Sequence, residues 1–217
     1  TTRPKDFGST AELSPAFIKK VLASGIVERV QNWAKFKATT ELQKAAGGKK
    51  PARFVPIPKL DDANFAGHPS KAGDCTLILT EGDSAKSLAV AGMSVVGRDY
   101  FGVFPLRGKL LNVREASHKQ IMNNAEITAL VTILGLQYGK TYDSVKGLRY
   151  GHLMIMADQD HDGSHIKGLV LNLLHCFWPS LLALDGFLQQ FITPIVKAVP
   201  SARSRDPISF FTLPQYS

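Results

Sequence analysis

Four acidic side chains directly follow two apolar segments, and their spacing is the strongest chemical signal in this sequence. Glu81 comes after the first segment, and Asp158, Asp160 and Asp162 alternate after the second. If the two segments form neighbouring parallel strands, their carboxyl ends lie at one edge of the sheet and the four carboxylates meet there. Anions that close repel one another unless a cation neutralises them. Mg²⁺ prefers oxygen ligands and assists phosphoryl transfer, so the pattern predicts a magnesium-dependent site.

Other interpretations of the acidic segment explain less of the sequence. Segment 158–163 matches the first half of an EF-hand calcium loop, but that loop requires a glutamate where Leu169 stands. His161 and His165 lie four positions apart, but no cysteine or further histidine spacing supports a zinc site. A phosphatase with an aspartate nucleophile leaves Glu81 unexplained. A solvated acidic turn without function also stays open, because aspartate and glycine are ordinary turn residues.

The elements that must position these side chains are short apolar strands that alternate with helices. The periodicity predicts helices over 15–46, 84–91, 117–134 and 164–177. The first helical stretch is expected to be capped by Ser14 and broken at Gly25. Strands are predicted over 75–80, 102–104, 152–157, 188–199 and 208–213. The order predicts an α/β fold: a Rossmann-like, mostly parallel sheet flanked by helices, with an N-terminal helical extension. We expect a helical extension and basic linker over 1–59 and a metal-binding domain over 60–217.

Basic residues are concentrated toward the beginning of the chain. The net charge is +8, and residues 1–60 contain 12 Lys and Arg against 4 Asp and Glu, whereas the remainder contains 14 of each. Such an excess attracts polyanions, nucleic acid above all, although it also suits a solvated basic surface. Charge alone therefore leaves a passive DNA-binding module as open as an enzyme.

Candidate phosphate contacts follow two of the predicted strands. Gly82, Asp83 and Ser84 begin a predicted helix, whose N-terminus suits a phosphate group, although Ser84 is equally suited to cap that helix. Arg107 and Lys109 come just after another strand, where they reach backbone phosphates unless they only form a solvated basic turn. These positions are the candidate DNA-binding surface.

Composition argues against secreted and membrane-spanning classes. The two cysteines, Cys75 and Cys176, are far apart in a sequence without a secretory signal, so we expect no disulfide framework and a reducing compartment. Polar residues and a proline interrupt the apolar stretch 168–188, which favours a buried helix pair over a membrane span. The N-terminal sequence is typical of the interior of a longer protein, and we interpret the chain as a fragment.

Three segments resemble, in their order along the chain, signatures of type II DNA topoisomerases: EGDSAK at 81–86, PLRGK at 105–109 and DQDHDGSHIK at 158–167. Further segments resemble the eukaryotic branch of that family: LDDAN at 60–64, NVREASHK at 112–119 and FITPI at 191–195. The resemblance covers most of the chain. It implies a TOPRIM domain within the DNA cleavage core.

The resemblance also implies roles for single residues. Glu81 and Asp158 would hold the catalytic Mg²⁺, Asp158 and Asp160 a second metal ion, and Asp162 would support the cluster. Mn²⁺ or Ca²⁺ is expected to substitute for Mg²⁺. Glu81, Asp158 and Asp160 would be the catalytic residues. The implied DNA contacts are Gly82, Asp83, Ser84, Lys86, Arg107 and Lys109, of which Lys86 is also placed to balance local charge.

For the complete enzyme, the resemblance implies cleavage and resealing of double-stranded DNA through a 5′-phosphotyrosyl intermediate. The tyrosine would lie on a winged-helix domain and the ATP site on an ATPase domain, both outside this chain. The implied enzyme is a nuclear homodimer, and this fragment alone is expected to be inactive. Two other functions stay open: a stand-alone metal-dependent phosphohydrolase or nuclease, and a DNA-binding module without catalysis.

Overall fold

A computed structural model describes residues 13–45, 53, 55–199, 207–211 and 213–216. The chain divides into two compact units between Glu41 and Leu42. The predicted domain boundary after residue 59 stays a prediction. Most of the expected lead-in before residue 14, and most of the linker after residue 45, lie outside the described residues.

The described part of the first unit contains one helix and most of a second, which continues four residues past Glu41. In α1 (Pro15–Ala23) the Ser14 hydroxyl accepts a hydrogen bond of 3.2 Å from the Phe17 amide, which confirms the predicted cap. Gly25 has a φ of 73° and separates α1 from α2 (Ile26–Ala45), as the sequence predicts. Trp33 on α2 is 63% exposed.

Four parallel strands form the main sheet of the second unit: β1 (Thr76–Glu81), β2 (Phe101–Leu106), β3 (His152–Met156) and β4 (Leu188–Gln190). Their order is β2-β1-β3-β4, so β1 and β3 are neighbours although some 70 residues separate them along the chain. The predicted parallel α/β architecture is therefore confirmed. β5 (Val196–Ala198) and β6 (Ile208–Phe210) form a separate antiparallel pair.

Helices cover both faces of this sheet. Ala89 and Met93 of α3 (Gly82–Val96) pack with Val103 of β2 on one face. On the other face, Leu77 and Leu79 of β1 belong to the larger apolar core, together with buried residues of α5 (Ala125–Leu134) and α6 (His161–Phe177). Neighbouring residues of a strand point to opposite faces, so Leu77 and Leu79 face the larger core while the half-buried Ile78 packs on the α3 side.

Several predicted boundaries were wrong, and local capping explains two of them. The helix predicted over 117–134 is divided into α4 (His118–Asn123) and α5, because the Asn124 side chain accepts a hydrogen bond of 2.9 Å from the Ile127 amide and starts a new helix. Helix α6 begins at His161 rather than at residue 164, because Asp160 is its cap. The strand predicted over 188–199 consists of two short strands, β4 and β5. Two further short helices are α7 (Pro179–Leu182) and α8 (Leu213–Tyr216).

A buried arginine anchors the segment that precedes β1. The Arg149 side chain is fully buried, forms an ion pair with Asp62, and donates hydrogen bonds to the Ile133 carbonyl at 2.8 Å and the Arg53 carbonyl at 3.1 Å. The Tyr150 hydroxyl also donates to Asp62. These contacts join the segment ahead of the sheet to the core and so fix its path. Breaking the ion pair is costly, because it removes the carboxylate from a buried charge.

We predict that Asp62→Ala lowers the free energy of unfolding by about 3 kcal/mol, since Arg149 stays buried without its carboxylate. Urea unfolding of the chain, followed by circular dichroism, measures the loss. Asp185→Ala is the matched control because Asp185 is exposed. Equal stabilities of the two variants would contradict the anchoring role of Asp62.

Cys75 is buried, Cys176 is exposed and both are free thiols. Burial is the largest cause that raises the pKa of the Cys75 thiol, to about 11. Among the described residues, no helix is both long enough and apolar enough to cross a membrane.

Candidate functional site

Glu81 stands where β1 ends and α3 begins. Gly82 follows it with a φ of 77°, a backbone conformation that glycine adopts without strain, and this turn joins the strand directly to the helix. The Glu81 side chain makes no capping hydrogen bond. Its Oε2 atom is buried and has no hydrogen-bond partner among the described residues. A buried carboxylate oxygen of this kind is costly unless a cation or a donor joins it.

Asp158 lies at the same edge of the sheet as Glu81. Thr80 of β1 pairs with Met156 of β3, so the two strands end side by side. Glu81 and Asp158 both line one cleft of about 530 Å³, whose apolar wall includes Leu88 of α3. The sequence-based expectation that these two loops reach one place is confirmed.

Asp160 makes a structural contact instead of facing that cleft. Its Oδ1 accepts a hydrogen bond of 2.7 Å from the Gly163 amide and caps α6. Gly163 is required here for space, because a Cβ atom would lie 2.1 Å from the Asp158 carbonyl oxygen. The first turn of α6 therefore packs directly on the backbone of Asp158.

Asp162 pairs with a basic residue predicted to contact DNA. Its Oδ1 lies 3.0 Å from the Lys109 ammonium, and both side chains are exposed. The hydrogen bond and charge of Lys109 hold the pKa of the Asp162 carboxyl below its usual range, and the nearby His165 and His161 add to the effect. Asp162 therefore stays ionised at lower pH than an isolated aspartate.

The four carboxylates do not form one cluster. Within the part of the chain that the structure describes, no group of three or more His, Cys, Asp or Glu side chains is arranged to hold a metal ion. Asp160 and Asp162 are instead held by partners of their own, Gly163 and Lys109. The expected four-carboxylate cluster was wrong as geometry. The assignment of Glu81, Asp158, Asp160 and Asp162 as metal ligands stays a prediction.

Asp83 and Ser84 occupy the first turn of α3. The Asp83 carboxylate lies 2.6 Å from the Lys59 ammonium, and this hydrogen bond is the largest cause that lowers the pKa of Asp83. Ser84 is inside α3, and the cap position is Glu81, so the interpretation of Ser84 as the helix cap was wrong. Ser84 instead lines the cleft beside Glu81.

The basic residues predicted to contact DNA differ in whether they already form ion pairs within the protein. The Lys86 ammonium lies 2.7 Å from an Asp61 oxygen and donates to the Lys59 carbonyl at 2.8 Å, so the interpretation that it balances local charge is confirmed. Arg107 follows β2 and is exposed, as is Lys109. Whether any of these residues contacts DNA stays a prediction.

Sequence reasoning missed Lys59 and Asp61 as neighbours of the site. Both were assigned by chain position, Lys59 to the basic linker and Asp61 to the start of the next domain. The structure places their side chains against the first two turns of α3. The lysine and two aspartates within 59–62 were the available signal, but only the folded chain identifies their partners.

Comparison with known proteins gives a consistent result. The model of the Toprim domain family matches residues 76–187, a little over half of the chain. The chain belongs to the Toprim family. The match begins with β1 and ends just before β4, so it contains both strand ends that carry Glu81 and Asp158.

Whole proteins are also similar to this chain, over its full length. DNA topoisomerase 2-beta of Gallus gallus and DNA topoisomerase 2-alpha of Homo sapiens are each 58% identical over 100% of this chain. The chain spans only 13% and 14% of their respective lengths. A crystal structure of the DNA-binding, cleavage and re-ligation domain of Plasmodium falciparum topoisomerase II has a TM-score of 0.70 and 58% identity, covering 76% of this chain and 22% of that one.

Two substitutions of Asp160 separate its role as the cap of α6 from its negative charge, because the cap depends on the hydrogen bond from the Gly163 amide. We predict that Asp160→Ala lowers the free energy of unfolding by about 1 kcal/mol, because the cap is lost. Asp160→Asn retains a side-chain oxygen that accepts the same hydrogen bond, so it should unfold at nearly the wild-type urea concentration. Equal losses in the two variants would contradict a capping role.

Proposed function

We propose that this chain is the metal-binding part of the DNA cleavage and resealing site of a eukaryotic type II DNA topoisomerase. The observation that carries the proposal is the Glu81 Oε2 at the carboxyl end of β1, which is buried without a hydrogen-bond partner in the described part of the chain and shares one cleft with Asp158 at the end of the neighbouring strand. The whole-chain similarity to DNA topoisomerases 2 supports the reaction class.

The donor set is chemically suited to a divalent cation. Glu81 and Asp158 offer carboxylate oxygens, which Mg²⁺ prefers, and Mn²⁺ or Ca²⁺ is expected to substitute. One oxygen of Glu81 already lies out of water without a donor, so a cation would remove a cost that the chain otherwise bears. We propose Glu81 and Asp158 as the principal ligands. Asp160 and Asp162 each have one oxygen engaged, on the Gly163 amide and on the Lys109 ammonium, and would offer the other oxygen to a second ion.

When bound, the metal would supply positive charge where the scissile phosphate and the leaving 3′-oxygen develop negative charge. The remaining work belongs to the chain itself. The first turn of α3 directs its free backbone amides toward the same edge of the sheet, where they favour a phosphate group. Arg107 is exposed just beyond β2 and is placed to pair with the DNA backbone. These groups would orient the strand that is cut.

The nucleophile is proposed to be a tyrosine outside this chain. Tyr138, Tyr142 and Tyr150 are buried within the Toprim region. Burial is the largest cause that raises the pKa of each of them, for Tyr138 to about 12. A buried phenol that resists ionisation is poorly placed to attack DNA, so none of these three is suited to be the nucleophile.

The properties of the complete enzyme are also part of the proposal. We infer a homodimer in the nucleus that hydrolyses ATP on a separate domain and acts on double-stranded DNA through a covalent 5′-phosphotyrosyl intermediate. Resealing would need no new energy source, because the phosphotyrosyl bond conserves the energy of the broken one. This chain alone should neither cut nor relax DNA.

The proposal predicts that Glu81→Gln and Asp158→Asn in the full-length enzyme each reduce Mg²⁺-dependent cleavage of double-stranded DNA by about a hundredfold or more, because each removes one metal-binding charge. Trapped protein–DNA complexes measure cleavage. Asp185→Asn, which removes an exposed charge elsewhere, is the matched control.

Retained cleavage in either site variant would refute the metal-site assignment. Hydrolysis of plasmid DNA by this chain alone would favour the stand-alone nuclease. Mg²⁺ calorimetry of the chain with a short nicked duplex provides a readout besides activity. Binding that needs Asp158 and strengthens with DNA is the expected result.

A further inference from the structure

Lys59 has an unusual backbone conformation. Among the described residues it is the one non-glycine position with a positive φ, at 67°. For an L-residue this left-handed conformation costs about 1 kcal/mol, so the surrounding contacts must hold it in place. The conformation lies in the segment before β1, outside the matched Toprim span of residues 76–187.

The contacts that hold Lys59 lead to the first two turns of α3. Its ammonium lies 2.6 Å from an Asp83 oxygen, and its carbonyl oxygen accepts a hydrogen bond of 2.8 Å from the Lys86 ammonium. Lys59 therefore contacts α3 at two positions three residues apart, Asp83 and Lys86. They lie two and five positions after Glu81, the proposed metal ligand.

Asp61 fixes the same segment from the other side. Its backbone exchanges two hydrogen bonds with Val103 of β2, at 2.8 and 2.9 Å, as a short antiparallel bridge. Its side chain pairs with Lys86 at 2.7 Å and with Arg98 at 3.2 Å. Lys86 is therefore already engaged with Asp61, and Lys59 is the cation in direct contact with Asp83.

This distribution of charge matters for a site that must accept DNA. Without Lys59, the Asp83 carboxylate would lose its direct counter-ion two positions from Glu81, and its charge would add to the repulsion of an anionic phosphodiester. With Lys59 in place, the first turn of α3 presents its backbone amides beside a neutralised carboxylate. Lys59, with its left-handed backbone, contacts α3 through both its ammonium and its carbonyl.

We propose that Lys59 is a positioning residue of the DNA cleavage site, which neutralises Asp83 and holds the start of α3 so that a DNA phosphate can approach it. This inference rests on the function proposed above and adds a residue from outside the Toprim span to that site. Lys59 acts through Asp83 and Lys86, and it touches neither Glu81 nor Asp158 in the contacts described here.

The pair is too exposed to contribute much to folding. The Lys59 and Asp83 side chains are 38% and 67% exposed, and ion pairs of that exposure add little to stability. Loss of the Lys59 side chain should therefore change DNA kinetics while the fold is retained. A purely structural role would predict the reverse.

The test uses three variants of the full-length enzyme. Lys59→Gly removes the ammonium while glycine keeps the left-handed backbone and its carbonyl without strain. Lys59→Arg keeps the charge. Lys146→Gly removes an equal charge from an exposed position in the loop before β3, at the opposite end of the strands. Plasmid relaxation is measured over a range of DNA and Mg²⁺ concentrations, together with thermal unfolding.

We expect Lys59→Gly to raise the apparent KM for DNA about tenfold, because an unneutralised carboxylate repels the backbone. Lys59→Arg should stay within about twofold of wild type, since the charge is kept. Lys146→Gly should match wild type. The Mg²⁺ concentration for half-maximal activity should not rise in Lys59→Gly, because the site becomes more negative, and the unfolding temperature should be unchanged.

A wild-type KM and kcat in Lys59→Gly would overturn the inference. So would an equal KM rise in Lys146→Gly, or a loss that Lys59→Arg does not restore and that follows a lower unfolding temperature. Glu81→Gln distinguishes a failure of the Lys59 role from a failure of the proposed metal site. If Glu81→Gln abolishes cleavage while Lys59→Gly is silent, only the role of Lys59 fails. If Glu81→Gln cleaves normally, the proposed function fails and this inference falls with it.

Discussion

Parallel pairing of β1 with β3 is the constraint on which the site depends. Parallel neighbours end at the same edge of a sheet, so Glu81 and Asp158 come together although 76 positions separate them in sequence. The same constraint requires a crossover after each strand, and α3 and α6 therefore both begin at that edge. Two helix N-termini, each with partial positive charge, then adjoin the carboxylates and partly offset their repulsion.

Crowding of negative charge at this edge explains where the other side chains go. Asp160 satisfies its carboxylate on the Gly163 amide, and Asp162 does so on Lys109. Glu81 differs, since its Oε2 is buried at the strand end without a hydrogen-bond partner among the described residues. The site is thus asymmetric. Each of the two aspartates has one oxygen held by a contact, whereas the buried oxygen of Glu81 has no such contact among the described residues.

The sequence predicted the central strands and the sheet well, because β1 and β3 are short, mostly apolar runs with buried leucine and isoleucine side chains. It failed where a single polar side chain overrides periodicity. Asn124 divides an apolar helical pattern that continues on both sides of it, and Asp160 starts α6 earlier than the pattern suggests. At the site, the strand-end positions followed from local order. The partners of Asp162 and Asp83 did not, because those ion pairs join residues far apart in the chain.

The position of Lys59 suggests how a widely used fold acquires a specific task. The Toprim span supplies the strand ends and helix starts that carry Glu81 and Asp158. In the proposed function an anionic substrate meets an anionic site, and metal ions at Glu81 and Asp158 would not neutralise the nearby carboxylate of Asp83. A segment that precedes the span supplies the missing cation, and Asp62 with Arg149 anchors that segment to the core. Because the anchor is buried and the cation is exposed, stability and charge compensation reside in different residues and can change independently.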